Sequence, residues 1–115
     1  MHLKQIQEKL GDFERSRGWD KFPASLVFVH LIEELGEISR HITIEEGYKA
    51  IGLGHNAPEK NELDREFAQV FNLFAQLANH YDIDLERSVL SELEIMEKRF
   101  AAKEWSEYMK NRRGV

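Results

Sequence analysis

Residues 26–44, LVFVHLIEELGEISRHITI, decide how the rest of the chain is read. Their apolar side chains recur at helical spacing but occupy more than one face, which predicts a long central helix rather than a surface one. Set into that helix are three glutamates, a glycine and two histidines. At about 100 degrees per residue, His30, Glu34, Glu37 and His41 return to nearly one line, with Glu33 beside it. Gly36 weakens the helix by about 1 kcal/mol relative to alanine and lets a backbone or ligand approach closely.

Outward from this stretch the same periodicity continues. Leu3, Ile6, Leu10 and Phe13 predict a first helix that ends near Ser16, where RSRGWDKFP (15–23) interrupts the pattern; the central helix starts near Pro23. A third helix is expected from about Glu59 to Tyr81, with Phe67, Val70, Phe71, Phe74, Leu77, Ala78 and Tyr81 as an inward stripe. The intervening GYKAIGLGHNAP (47–58) reads as a loop, or a loop with one short helical piece. Asp82 or Asp84 caps a final helix that carries Leu85, Val89, Leu93, Met96 and Phe100 and continues toward Tyr108. No strand pattern competes and no repeat is visible. The expected fold is one all-α domain over 1–115, a four-helix antiparallel bundle whose site lies at the long loop and the ends of helices two and three.

Composition narrows the function. The 115 residues contain no cysteine, which removes a disulfide scaffold, a thiolate metal site and a thiol nucleophile, and fits a reducing compartment. The first residues are charged throughout and no segment is apolar enough to span a bilayer, so a soluble, cytoplasmic protein with no membrane partner is expected. Sixteen basic against 21 acidic residues give a net charge of -5 and no general attraction to nucleic acid. The basic tail KNRRGV (110–115) reads as a frayed, solvated helix end.

Glu34 and Glu37, one turn apart, can converge on a hard cation that prefers oxygen ligands. The plainest reading of an isolated ExxE is a solvated acidic face. The apolar surroundings here weigh against it, because crowded carboxylates in such a setting repel or take up protons. A second direction of oxygen comes from NELDREFAQVFN (61–72), where Glu62, Glu66 and Gln69 share a face, followed less closely by Asn72. Glu66 is the strongest further ligand; Gln69 offers a weaker, neutral carbonyl. This oxygen set favours Mg2+ over zinc. His30 and His41 read as structural or exposed side chains, and neither His55 nor His80 has a ligand partner.

RGWDKFPASL, LIEELGEISRHI, DREFAQVFNLFAQLANHYDIDL and SVLSELEIMEKRF, spanning about 15–100, together resemble the MazG-like family of all-α nucleoside triphosphate pyrophosphohydrolases. The resemblance implies an ExxE motif and an ExxD motif that hold Mg2+. Glu34 and Glu37 match the first, Glu66 matches the second glutamate, and Gln69 stands in place of the aspartate. Glu33 matches an additional acid beside the first motif. It further implies that a nucleoside triphosphate is cleaved to monophosphate and pyrophosphate by a metal-activated water, with Glu33 or Glu37 taking the proton. Trp19 matches an aromatic residue of the nucleobase region, with packing at the helix junction as its plainer role, and Phe22 is a second candidate; Arg99 matches a basic residue for an anion, with a solvated surface position as its plainer role, and a homodimer or tetramer completes the pockets. Two departures bear on phosphate binding: Glu92 and Met96 stand where the family often carries lysine and asparagine. Glu92 repels phosphate and Met96 lacks an amide donor. A catalytically inactive nucleotide-binding or helical interaction protein is therefore the competing expectation.

Overall fold

The structure, a computed structural model, describes residues 1–56 and 62–112. Five α-helices account for most of them: α1 (Leu3–Arg15), α2 (Ala24–Glu45), α3 (Glu62–His80), α4 (Leu85–Arg99) and α5 (Ala102–Asn111). The all-helical expectation holds. α1 ends with Ser16 as its C-cap, and Pro23 caps the start of α2, whose first helical residue is Ala24. Residues 46–56 form turns with one isolated bridge between Ile51 and His55 and no helical piece. The expected start of the third helix near Glu59 lies outside the described residues, which pick it up at Glu62.

α2 and α3 form the principal pair. They run antiparallel, since Arg40 of α2 meets Glu62 at the start of α3 while Glu34, nearly two turns earlier, meets Gln69. Val27, Leu31, Ile38 and Ile44 are the buried apolar residues of α2. α1 crosses α3 where Ala75 and Ala78 keep the surface low, and Leu3, Leu10 and Phe71 pack around them and Leu85. One buried polar side chain ties this seam together. Gln7 donates to Asn79 Oδ1 (2.8 Å) and to the Ile83 carbonyl (2.7 Å), and its own carbonyl accepts from the backbone N–H of Leu85 (3.0 Å). The last bond satisfies a first-turn N–H of α4 that has no partner within its own helix. Asp84 caps the same turn by accepting from Arg87 N at 3.1 Å.

The final helical segment is not continuous. Phe100, with φ -117° and ψ 82°, leaves the helical region and separates α4 from α5. Its ring meets Trp105 edge-on at 6.2 Å, and Trp105 meets Tyr108 at 5.5 Å, so the bend is lined by aromatic contacts between the two helices and along α5. α4 packs on α1 through its first turn.

Two expected core faces lie at the surface of the single chain. Phe28, Ile32 and Leu35 of α2 are 52%, 50% and 43% exposed, and Phe67, Phe74 and Tyr81 of α3 are also largely exposed. The radius of gyration, 18.7 Å, agrees with this openness. A compact chain of this length has roughly 13 Å. Apolar periodicity thus located the apolar faces, but the chain buries only part of their area.

Candidate functional site

The α2–α3 pair turns four carboxylates toward one another: Glu34 and Glu37 from α2, Glu62 and Glu66 from α3. Spacing on each helix puts them on facing stripes, and the antiparallel register brings the stripes together. Glu34 and Glu66 share a side-chain hydrogen bond, which requires a proton between two acids. That bond raises the Glu66 carboxyl to about 7; loss of water contact and the negative charges of Glu34, Glu37 and Glu62 push it the same way. Glu66 therefore holds its proton up to near neutrality.

Gln69 sits one turn from Glu66. With its amide nitrogen toward the acids, it donates to Glu34 Oε2 at 2.9 Å and Glu66 Oε2 at 3.2 Å. Basic groups hold the flanks. His30 Nε2 is 3.4 Å from Glu34 Oε1, while Arg40 approaches Glu37 Oε2 at 3.2 Å and Glu62 Oε2 at 3.5 Å. His41 is buried, and its Nε2 has no hydrogen-bond partner, lying 3.7 Å from Glu62 Oε2. His30 is thus the exposed histidine and His41 the buried one.

Among the described residues, no three His, Cys, Asp or Glu side chains form a ready metal cluster. The local reason is visible: the Gln69 amide spans Glu34 and Glu66, and Arg40 draws Glu37 aside. The donor chemistry nevertheless suits a hard cation, because such an ion would relieve the repulsion that a proton and an amide N–H now relieve. Turning over the amide presents its carbonyl oxygen to the same space. Releasing Glu37 requires only a side-chain rotation away from Arg40, an ion pair of exposed groups and so of small energy.

A pocket of about 280 Å³ opens directly from this cluster, with Glu34 and Gln69 at its lining and Phe13, Glu14 and Trp19 sharing the same cavity. Trp19 follows Gly18, whose φ of +72° permits the sharp exit from α1 into a short 3₁₀ turn, Trp19–Lys21. The indole meets Phe13 edge-on at 5.6 Å, and Gln76 holds the turn by donating to the Trp19 carbonyl at 3.2 Å. Phe22 and Glu33 line an adjoining pocket together with Trp19 and His30. Glu33 therefore lies beside the carboxylate cluster, not within it. Arg99 is not brought to either pocket; it reaches over the Phe100 ring at 5.0 Å, at the far end of α4. Glu92 and Met96 line an apolar groove between α3 and α4. Gly36 faces open space, and a Cβ there would meet nothing within 4 Å, so close approach within this chain is not its use.

Sequence reasoning missed Arg40, Glu14 and Gln76. Arg40 had a signal, since it follows Glu37 by one turn. Glu14 and Gln76 had none, because their roles depend on how α1 crosses α3.

Fold and site together define an all-helical protein with a carboxylate cluster beside an aromatic pocket. No family model matches the chain. It is similar to "Uncharacterized protein YvdC" of Bacillus subtilis (strain 168), 28% identical over 109 residues, covering 87% of this chain and 97% of that protein. It also superimposes on the crystal structure of the "putative pyrophosphatase YPJD from Bacillus subtilis" with a TM-score of 0.63 and 25% identity, covering 89% of this chain and 97% of that one.

Proposed function

We propose that the protein is a MazG-like, Mg2+-dependent nucleoside triphosphate pyrophosphohydrolase. The observation that carries this reading is the continuity between the Glu34–Glu66 pair and the pocket containing Trp19. One end suits a metal-bound triphosphate and the other a flat, partly apolar ring. The likeness to YPJD supports the reaction class.

Glu34, Glu37 and Glu66 are the residues to hold Mg2+, with Gln69 contributing its carbonyl after the amide turns over. When bound, the ion supplies charge that stabilises phosphoryl oxygens and acidifies water. The chain's own groups then have separable tasks. Trp19 stacks on the base, with Phe22 extending the aromatic surface in the adjoining pocket. Glu37 or Glu33 accepts the proton as water oxygen bonds to the α-phosphorus and the bond to the bridging oxygen breaks, releasing nucleoside monophosphate and pyrophosphate. Arg99 reaches phosphate only from a neighbouring copy, which fits a homodimer or tetramer formed over the exposed apolar faces of α2 and α3.

A second reading has its own support. The Gln69 amide satisfies both acids without a metal, and Glu92 and Met96 line an apolar groove; a protein so built binds nucleotides without cleaving them. Incubation with Mg2+ and a panel of nucleoside triphosphates, following monophosphate and pyrophosphate together, separates the two. Equal release of both products is expected. Glu34→Gln should lower turnover at least about tenfold while exposed Glu94→Gln leaves it unchanged. Binding without turnover across the panel establishes the second reading instead.

A further inference from the structure

The aromatic pocket contains a charged group that the proposed chemistry does not use. Glu14, in the last turn of α1, is only 5% exposed yet lines the same cavity as Trp19, Glu34 and Gln69. A buried carboxylate needs partners. Asn79 supplies one by hydrogen bonding to Glu14, and Asn79 is itself oriented because its Oδ1 accepts from Gln7 at 2.8 Å. The amide nitrogen donates to the Gln7 backbone carbonyl at 3.5 Å and has a second N–H for Glu14. Burial raises the Glu14 carboxyl above its ordinary value, whereas the Asn79 bond and the charge of Arg15 act in the opposite direction. A carboxylate has about four acceptor positions, so one amide leaves capacity for a ligand. Gln76, by contrast, spends a donor on the Trp19 carbonyl.

We propose that Glu14 reads the edge of a base stacked on Trp19 and selects guanine. The inference rests on the nucleotide reading above and deepens it by naming the substrate class. A fixed pair of carboxylate oxygens is complementary to two adjacent N–H donors. Guanine offers such a pair at N1 and its 2-amino group; adenine and cytosine place an acceptor nitrogen beside their amino group, and uracil flanks one N–H with carbonyls. Two donors also favour the ionised carboxylate that burial opposes. Asn79 makes Glu14 rigid, so little ordering remains for the ligand to impose.

The test uses α,β-methylene triphosphate analogues of guanosine, inosine, adenosine, cytidine and uridine, titrated calorimetrically into the full chain with Mg2+. Guanosine should bind about tenfold or more tightly than the others, inosine losing that advantage because it lacks the 2-amino group. In Glu14→Gln, which offers one donor and one acceptor, guanosine alone should weaken by about tenfold. Equal affinity for guanosine and inosine in the unaltered protein overturns the proposal without any variant. An equal loss for all five analogues in folded Glu14→Gln also overturns it, since that is the mark of a structural role. If no analogue binds, the nucleotide reading itself fails and this inference with it; binding without base preference sinks the role of Glu14 alone.

Discussion

Lowering the pH from 8 to 6 should weaken Mg2+ binding about tenfold if metal and proton compete for Glu34 and Glu66. The Glu66 carboxyl, raised to about 7 first by its hydrogen bond to Glu34, sets the size of the effect. A single competing proton divides the affinity by about 11 at pH 6, about 2 at pH 7 and about 1.1 at pH 8. Calorimetry in buffers of different ionisation heat counts the displaced proton: about 0.9 per metal at pH 6, about 0.5 at pH 7 and about 0.1 at pH 8. His30, 3.4 Å from Glu34, is separated from the carboxyl proton by repeating the series in His30→Gln. The metal-free fold should show the reciprocal trend. Because the folded pKa is raised, the folded state holds more protons than the unfolded state from the ordinary carboxylate range up to about 7. Its stability is therefore greatest on the acidic side of that window and declines as pH rises through it. Mg2+ should remove the decline. Affinity that stays flat from pH 6 to 8, with no proton released, refutes the competition and with it the assignment of this pair as metal ligands.

Other perturbations address the remaining contacts. Gln69→Asp replaces an amide that now donates to two acids with a further carboxylate, so Mg2+ affinity should rise while metal-free stability falls; unchanged metal titration would show that position 69 does not face the ion. Adding Glu92→Lys to that variant should raise triphosphate turnover further where a neighbouring copy brings position 92 to the phosphates, since within one chain it lines the α3–α4 groove; tighter metal binding without turnover in either protein points to a binding role. Sedimentation at micromolar concentration should show a dimer or tetramer, and a monomer throughout that range defeats the shared-pocket reading. Gln7→Ala removes three hydrogen bonds from the α1, α3 and α4 seam and should lower stability by about 2 kcal/mol, read by chemical denaturation, without changing Mg2+ affinity.

The carboxylates were legible because helical spacing alone aligns Glu34 with Glu37 and Glu66 with Gln69. Their facing was an inference from two separate stripes, and the antiparallel register of α2 and α3 supplies it. Helix limits near Ser16, Pro23 and Asp84 followed from glycine, proline and capping chemistry, which act over a few residues. The break at Phe100 did not follow, since neither glycine nor proline marks it and the residues around it continue a helical pattern. Burial was the least legible property. Phe67, Phe74 and Tyr81 fit an inward stripe by period, but periodicity gives a face and not whether the chain covers it. The aromatic pocket was half visible: Trp19 is conspicuous between Gly18 and Pro23, whereas Glu14 lies in an ordinary amphipathic helix and enters the cavity only through the crossing of α1 over α3.

The openness of α2 also bears on why its most apolar stretch carries acids. A solvated acidic face would direct the carboxylates outward and reserve Phe28, Ile32 and Leu35 for the interior. The helix instead leaves those three side chains substantially exposed, while the Glu34 side chain is only 20% exposed and meets Glu66 and Gln69. Solubility does not account for that arrangement, because an acid turned toward another acid loses hydration and gains repulsion. Nor does stability, since Glu34 beside it pushes the Glu66 carboxyl up to about 7. An apolar residue at either position would remove the repulsion at no such cost. What remains is a requirement for anionic oxygen at that place, beside the pocket lined by Trp19 and Phe13. The exposed apolar face fits the same requirement: if a second copy covers it, water is excluded from the outer side of the helix that carries Glu34 and Glu37, and the field of those carboxylates on a bound cation is strengthened.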